Sequence, residues 1–348
     1  MTLRSILLAA AATAMLAGPA LAQGKPVYGS WGYDAAAMDP AVKAGDDFFG
    51  FVNGAWYKKT DIAPDKSYVG IDSVLNDETD RNVRAIVEDM ARSPAQSGRI
   101  GQQVGDFYAS WMDTGRIEAR GTAPLKPYLA RIAAAKSRID LVTLFAEPGF
   151  PAPIGLGMSP DLKDPTRYTI YTGQSGLGMP NRDYYLLTGA KYDGYRAAYR
   201  AYVIKLQALA GIPDAAAKAD RIIALETAIA KIHWTPERER DVKANYKPMT
   251  RAQLARLAPQ FQWPLLLAKS GYGSQARVVV GQDSAVAAEG RLFAATPLST
   301  WKDYLAFHFI DGHSYICRAR SIKPASVSTR PHCATCRPSA TGGSVASN

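Results

Sequence analysis

The sequence predicts a mainly α-helical chain with one small β-hairpin region and a disordered tail. Three observations carry this prediction. Apolar residues recur at helical spacing through much of residues 46–315, one segment shows the pattern of two paired strands, and after Ile316 neither pattern survives. Hydrophobic residues make up 47% of the 348, which supplies cores for two ordinary domains or one large one.

Residues 1–22 have a charged start at Arg4, a short apolar run from Ile6 to Leu16, and the small-residue exit Ala20-Leu21-Ala22 before Gln23. This is the pattern of a secretory signal peptide cleaved between Ala22 and Gln23, and it predicts a periplasmic or secreted protein. No later stretch reaches the roughly 18 apolar residues a spanning helix needs, so no transmembrane segment is expected. Residues 23–45 are rich in Gly, Ala and Pro with Tyr28, Trp31 and Tyr33 interspersed, which reads as an extended lead-in. In residues 97–112, Ile100, Val104, Phe107 and Trp111 form one helical stripe. Residues 188–210 and 215–232 behave alike, the second with Ile222, Leu225, Ile229 and Ile232 on one face. Ahead of them, residues 153–175 place two apolar runs around Pro160-Asp161-Leu162-Lys163-Asp164-Pro165, a hairpin signal. Prolines 180, 213, 236, 248, 259 and 264 mark the ends of helical runs. Residues 316–348 are dominated by Ser, Thr, Arg, Pro and Ala and cannot bury enough apolar area to fold.

The formal net charge of +10 invites a nucleic-acid reading, but its distribution argues otherwise. Arg318, Arg320, Lys323, Arg330 and Arg337 lie in the tail without a single acid, and Arg4 belongs to the signal peptide. The modest remainder, spread along helices, describes solvated faces, so no nucleic-acid partner is expected. All the cysteines, Cys317, Cys333 and Cys336, also lie in the tail, so the body needs no disulfide.

Motifs give no active site. A helical zinc site of the His-Glu-x-x-His type needs two histidines four residues apart with a glutamate between them to activate water. None of His233, His308, His313 and His332 meets that spacing, and His233 and His308 read as hydrogen-bonded structural histidines. His332-Cys333-x-x-Cys336 resembles half a zinc ribbon without the surrounding core such a knuckle needs. Ser299-Thr300-Trp301-Lys302 matches Ser-x-x-Lys, but its partner motifs are absent and Ser299 reads as a helix N-cap. No catalytic, substrate-binding or metal-ligating residue is assigned from these patterns.

Four ordered blocks do carry a resemblance. Met38-Asp39 with Gly45-Asp46-Asp47-Phe48-Phe49-Gly50-Phe51-Val52-Asn53-Gly54-Ala55-Trp56 resembles the opening signature of the neprilysin (endothelin-converting-enzyme-like) zinc metallopeptidases. Val104 to Asp113 follows, then Asn181-Arg182-Asp183-Tyr184-Tyr185-Leu186. His233-Trp234-Thr235-Pro236-Glu237 through Arg240-Asp241 and Tyr246-x-x-Met249-Thr250 look like the bacterial branch. The same residues also suit packing, with Trp56, Phe107, Trp111 and Tyr184 as large core residues and Asp46 or Asp183 as helix caps.

The resemblance implies the large helical lobe of a two-lobed gluzincin-type peptidase that admits peptides rather than folded proteins. It implies that zinc, its His-Glu-x-x-His ligands and the substrate clamp belong to a catalytic lobe that this chain does not include. Residues 46–315 would be the N-terminal region, with 46–82 packing on the missing catalytic lobe and 83–315 forming the helical lobe. Animal members grip the substrate carboxylate with two arginines after the first block. Tyr68 and Asn76, with Ser73 between, stand there instead, so that grip is not carried over. The tail is read as out of frame, because a shifted reading frame permits a continuation resembling the family's. The chain is thus expected to be inactive alone, with no cofactor of its own. The alternatives are a non-catalytic periplasmic peptide-binding module and one half of a split peptidase.

Overall fold

The computed structural model describes residues 34–64, 66, 68–93 and 98–314. The expected signal peptide with its Ala22/Gln23 junction, the lead-in before Asp34, and the tail with its cysteines and His332 lie outside the described residues. The chain divides into two compact units, residues 1–105 and 106–348.

The first unit is helical and sparsely packed. Asp34 and Asp39 turn back onto the N–H groups of Ala36 and Ala41, and the described part of the lead-in holds a 3-10 turn at Ala35–Ala37. Helix α1 (Phe48–Lys59) starts where Asp47, not Asp46, accepts from Gly50 N–H at 2.8 Å. Lys58 pairs with Asp39 at 2.6 Å across its base. Helix α2 (Ile71–Arg92) begins after Gly70, whose N–H is held by Ser73 Oγ. Helix α3 (Gly98–Met112) runs across the boundary between the units. Its predicted stripe is helical but not buried: Ile100, Phe107 and Trp111 are exposed and Val104 half-buried, while Gly101 and Gly105 are buried. A Cβ at Gly105 would stand 2.6 Å from the Met90 carbonyl, so the glycine lets α3 lie close against α2.

The second unit holds the core. Helices α4 (Thr114–Arg120), α5 (Lys126–Ala134) and α6 (Arg138–Phe145) lead into β1 (Ile154–Asp161) and β2 (Asp164–Gln174), the predicted hairpin. A short α7 (Asp183–Leu186) precedes α8 (Ala190–Leu209) and α9 (Ala215–Ile232), which match the predicted helices within two residues. Then come α10 (Pro236–Glu239), β3 (Lys247–Thr250), α11 (Arg251–Leu257), α12 (Trp263–Lys269), β4 (Arg277–Val280), α13 (Asp283–Ala295) and α14 (Leu298–Gly312). The hairpin is part of a mixed four-stranded sheet in the order β1-β2-β4-β3, with only the β2–β4 pair parallel. Pro248 sits in edge strand β3, the sheet position that tolerates a missing N–H.

Aromatic packing joins the helices. Phe293 of α13 stacks on Phe261 at 5.5 Å and meets Trp301 of α14 edge-on at 5.3 Å. The Arg138 guanidinium donates to the carbonyls of Phe293, Ala294 and Thr296, satisfying the orphan acceptors at the end of α13. Ser299 is not the cap of α14. Pro297 takes that place and Ser299 is the second helical residue.

Candidate functional site

The chemically distinctive residues of the second unit lie along α9. Its apolar face, Ile222, Leu225 and Ile229, also buries Glu226 completely. A carboxylate there needs donors, and it has three. Tyr185 O–H donates to Oε2 at 2.8 Å, while Tyr199 O–H and His308 Nε2 reach Oε1 at 2.9 and 2.7 Å. The Tyr185 oxygen in turn accepts from the N–H groups of Gly178 and Met179 at 3.1 and 2.9 Å. Burial, reinforced by the Glu226 charge, pushes the Tyr185 and Tyr199 hydroxyls well above the usual tyrosine range. Both therefore stay protonated and serve as fixed donors. The space for this cluster depends on Gly178, where a Cβ would fall 1.9 Å from the Tyr199 hydroxyl.

A second buried pair follows directly. His233 ends α9, with Nε2 at 2.7 Å from Glu289 Oε1 on α13 and 3.2 Å from the Ser175 carbonyl. Desolvation lowers His233 to about 4 and raises Glu289 well above the carboxylate range. Both shifts favour the uncharged forms. Trp234 beside it is fixed by Gln174 Oε1 and by Ser284 Oγ, both at 2.7 Å, and Arg238 stacks on its ring at 3.6 Å.

The structure thus brings together two of the four sequence blocks. Arg182 of the Asn181–Leu186 block donates to the Ala230 carbonyl, Tyr185 reaches Glu226, and His233 closes the same helix. Asp183 does not cap α7: Arg182 is the N-cap and Asp183 the first helical residue. His233 and His308 are the hydrogen-bonded structural histidines that the sequence predicts. Sequence reasoning does not single out Glu226, Glu289 or Tyr199. The available signal is a glutamate set into the apolar stripe of residues 215–232.

These groups tie α7, α8, α9, α13 and α14 together. Among the described residues the ring nitrogens of His233, His308 and His313 bond carboxylates and carbonyls rather than a serine hydroxyl, and Lys302 of the Ser-x-x-Lys match is spent on the Ala133 and Ala135 carbonyls. Among the described residues no group of three or more His, Cys, Asp and Glu is placed to hold a metal ion. In the first unit, Tyr68 donates to Asp72 at 2.5 Å, Ser73 caps α2, and Asn76 is exposed, so none of them makes a cationic carboxylate grip. No helix among the described residues is long and apolar enough to cross a membrane.

Comparison with known proteins defines the class. The profile of peptidase family M13 matches residues 44–322, and the chain belongs to that family. It is 25% identical over 294 residues to endothelin-converting enzyme-like 1 of Mus musculus, covering 79% of this chain and 38% of that protein. With Homo sapiens endothelin-converting enzyme 1 it shares 29% over 244 residues, covering 66% of this chain and 31% of that one. Among solved structures, the Mycobacterium tuberculosis zinc metalloprotease Zmp1 bound to an inhibitor superposes with a TM-score of 0.72 at 29% identity. That match covers 82% of this chain and 44% of that one, so the chain spans less than half the length of these relatives. The neprilysin-type resemblance and the helical peptidase-lobe architecture are both established by these matches.

Proposed function

We propose that this chain supplies the non-catalytic helical lobe of a neprilysin-type zinc metalloendopeptidase that cleaves peptides outside the cytoplasm. The observation that carries the reading is the family match over residues 44–322 in a sequence without a His-Glu-x-x-His motif. Zinc and the water-activating glutamate would come from a catalytic lobe outside these residues, and residues 46–82 would pack against it. The exposed side chains of Phe48, Phe49, Tyr57, Ile62, Ile71 and Leu75 support that role for the first unit. The secretory pattern of residues 1–22 supports export, and the compositional break at Ile316 supports a shifted reading frame.

Sequencing the gene across codons 310–350 and beyond tests this reading. The expected result is a second frame encoding His-Glu-x-x-His. The continuous chain should then bind one zinc and hydrolyse peptides in a chelator-sensitive way, while residues 1–348 alone do neither. Stoichiometric zinc bound by residues 1–348 and lost on substituting Cys333 and Cys336 would overturn it in favour of a metal site in the tail.

A further inference from the structure

The sheet of the second unit has an open edge. Strand β1 pairs with β2 on one side, and among the described residues no strand lies on the other. Thr172 determines which backbone groups face that side. Its carbonyl accepts from Gly281 N–H at 2.8 Å, so its backbone points toward β4. In an antiparallel pair, two residues opposite each other either bond to one another or both turn away. Leu156, opposite Thr172, therefore turns its N–H and C=O outward, and the two-residue period of a strand extends this to Met158 and Pro160. Pro160 lacks an N–H and its carbonyl accepts from the Tyr171 hydroxyl at 3.2 Å, which closes the edge at that end. Leu156 and Met158 are left with outward donor-acceptor pairs at the spacing of a β-ladder.

A cavity of about 190 Å³ adjoins this edge, lined by Phe145, Phe150, Ala152, Ile154, Leu156 and Leu266, with Ser175 as a polar member. An apolar cavity of about 150 Å³ takes up benzene, so this one has room for a large apolar side chain. Ile154 and Leu156 lie on one face of β1, and a residue placed opposite Leu156 on an added strand would face the same way. Charge selects a direction. An antiparallel segment brings its carboxylate end toward Ile154, where Arg131, shared with Glu147, lies over the Phe150 ring at 5.3 Å. Its amino end then approaches Asp161 and Asp164, which share that turn with Lys163 and Arg167.

We infer that the open edge of β1 takes up an extended peptide as an added antiparallel strand, with one apolar side chain in the adjoining cavity. Only an extended chain offers donors and acceptors at this repeat. The choice of a peptide as occupant rests on the peptidase reading above.

The test uses the full 348-residue chain and a fluorescein-labelled hexapeptide of alternating Thr and Val with one central Leu, followed by fluorescence anisotropy. Two versions carry N-methyl groups on alternate amides, one set each. Strand addition requires that one set weaken binding about tenfold or more while the other leaves it nearly intact. Met158→Pro removes an outward N–H from an exposed residue, opposite Ile170, whose own N–H makes no β1–β2 hydrogen bond. It should leave the circular dichroism spectrum unchanged and weaken binding about tenfold. No binding, equal loss from both methylated sets, or unchanged affinity of Met158→Pro overturns the inference. The assay needs neither zinc nor hydrolysis. A wrong peptidase reading would instead show as missing chelator-sensitive cleavage by the continuous chain, with peptide binding to β1 intact.

Discussion

Residues 34–105 and residues 106–314 are both mainly helical, yet they bury opposite things. Among the described residues of the first unit, only Gly54, Gly101 and Gly105 are buried, and no apolar side chain is. In the second unit Leu125 begins a continuous cluster that runs to Ile310 and includes fully enclosed Phe261, Phe293, Trp301 and Tyr304. Helical stability in proteins comes mostly from packing an apolar face, not from propensity. The second unit meets that condition with its own residues. The first relies on caps such as Asp47 and on ion pairs such as Lys58–Asp39 while exposing Phe48, Phe49 and Tyr57.

The sharpest way to break this comparison is to remove one phenylalanine from each unit. Phe293→Ala deletes a ring with no exposed surface that touches Phe145, Phe261 and Trp301, and should cost about 3–5 kcal/mol in urea unfolding. Phe49→Ala removes a ring that is 61% exposed and should fall within about 0.5 kcal/mol of the parent. Equal losses would mean that the two units do not differ in the way described.

Acid should act on the second unit through His233. Its folded value of about 4 lies below the ordinary 6.5, so the unfolded chain takes up the proton first as pH falls. The stability it contributes is intact above about 6.5 and is lost as pH falls toward 4. At about 1.36 kcal/mol per unit this approaches about 3 kcal/mol. Glu289 works with the opposite sign: its contribution is present below the ordinary carboxylate value and is lost as pH rises. Melting temperature measured from pH 4 to 8 should show both limbs, with His233→Gln flattening the acid one and Glu289→Gln the other. An unchanged acid limb in His233→Gln would sink the assignment.

The Glu226 cluster sharpens the comparison at a smaller scale. Glu226→Gln keeps the volume but leaves too few acceptors for Tyr185, Tyr199 and His308, and should cost about 1–3 kcal/mol by thermal unfolding. Retained stability would show that the three donors find other partners.

Legibility followed the same division. Residues 188–210 and 215–232 were readable because an apolar stripe and Pro213 set their limits, and the hairpin because Pro160 and Pro165 bracket its turn. Strands β3 and β4 were not, since four residues each, one run containing Pro248, give no period to detect. The α3 stripe misled because burial there is decided by small residues that permit close approach, as at Gly105 against Met90. Ser299 misled because Pro297 already supplies the extended residue at the start of α14. At the site, the structural role of the histidines was legible from the missing His-x-x-x-His spacing. Their partners Glu226 and Glu289 are distant in sequence, and only the tertiary fold brings them within reach.

The smallest stability effect is expected from the most exposed residues, and there the readout changes from unfolding to association. Phe48 and Phe49 are 69% and 61% exposed at the start of α1, with Asp47 capping the helix independently of either ring. Replacing both with serine should therefore move the unfolding midpoint by no more than about 0.5 kcal/mol. Solvent-exposed apolar area is an association liability worth about 25 cal/mol per Å² when covered, so the same change should reduce dye binding and concentration-dependent aggregation. Light scattering across a concentration series separates two explanations of why these rings are outside. If the double substitution cures association without loss of stability, the first unit carries a contact surface whose partner lies elsewhere. If instead it lowers the midpoint by several kcal/mol, the rings belong to a core that the unit forms in solution, and the contrast between the two units disappears.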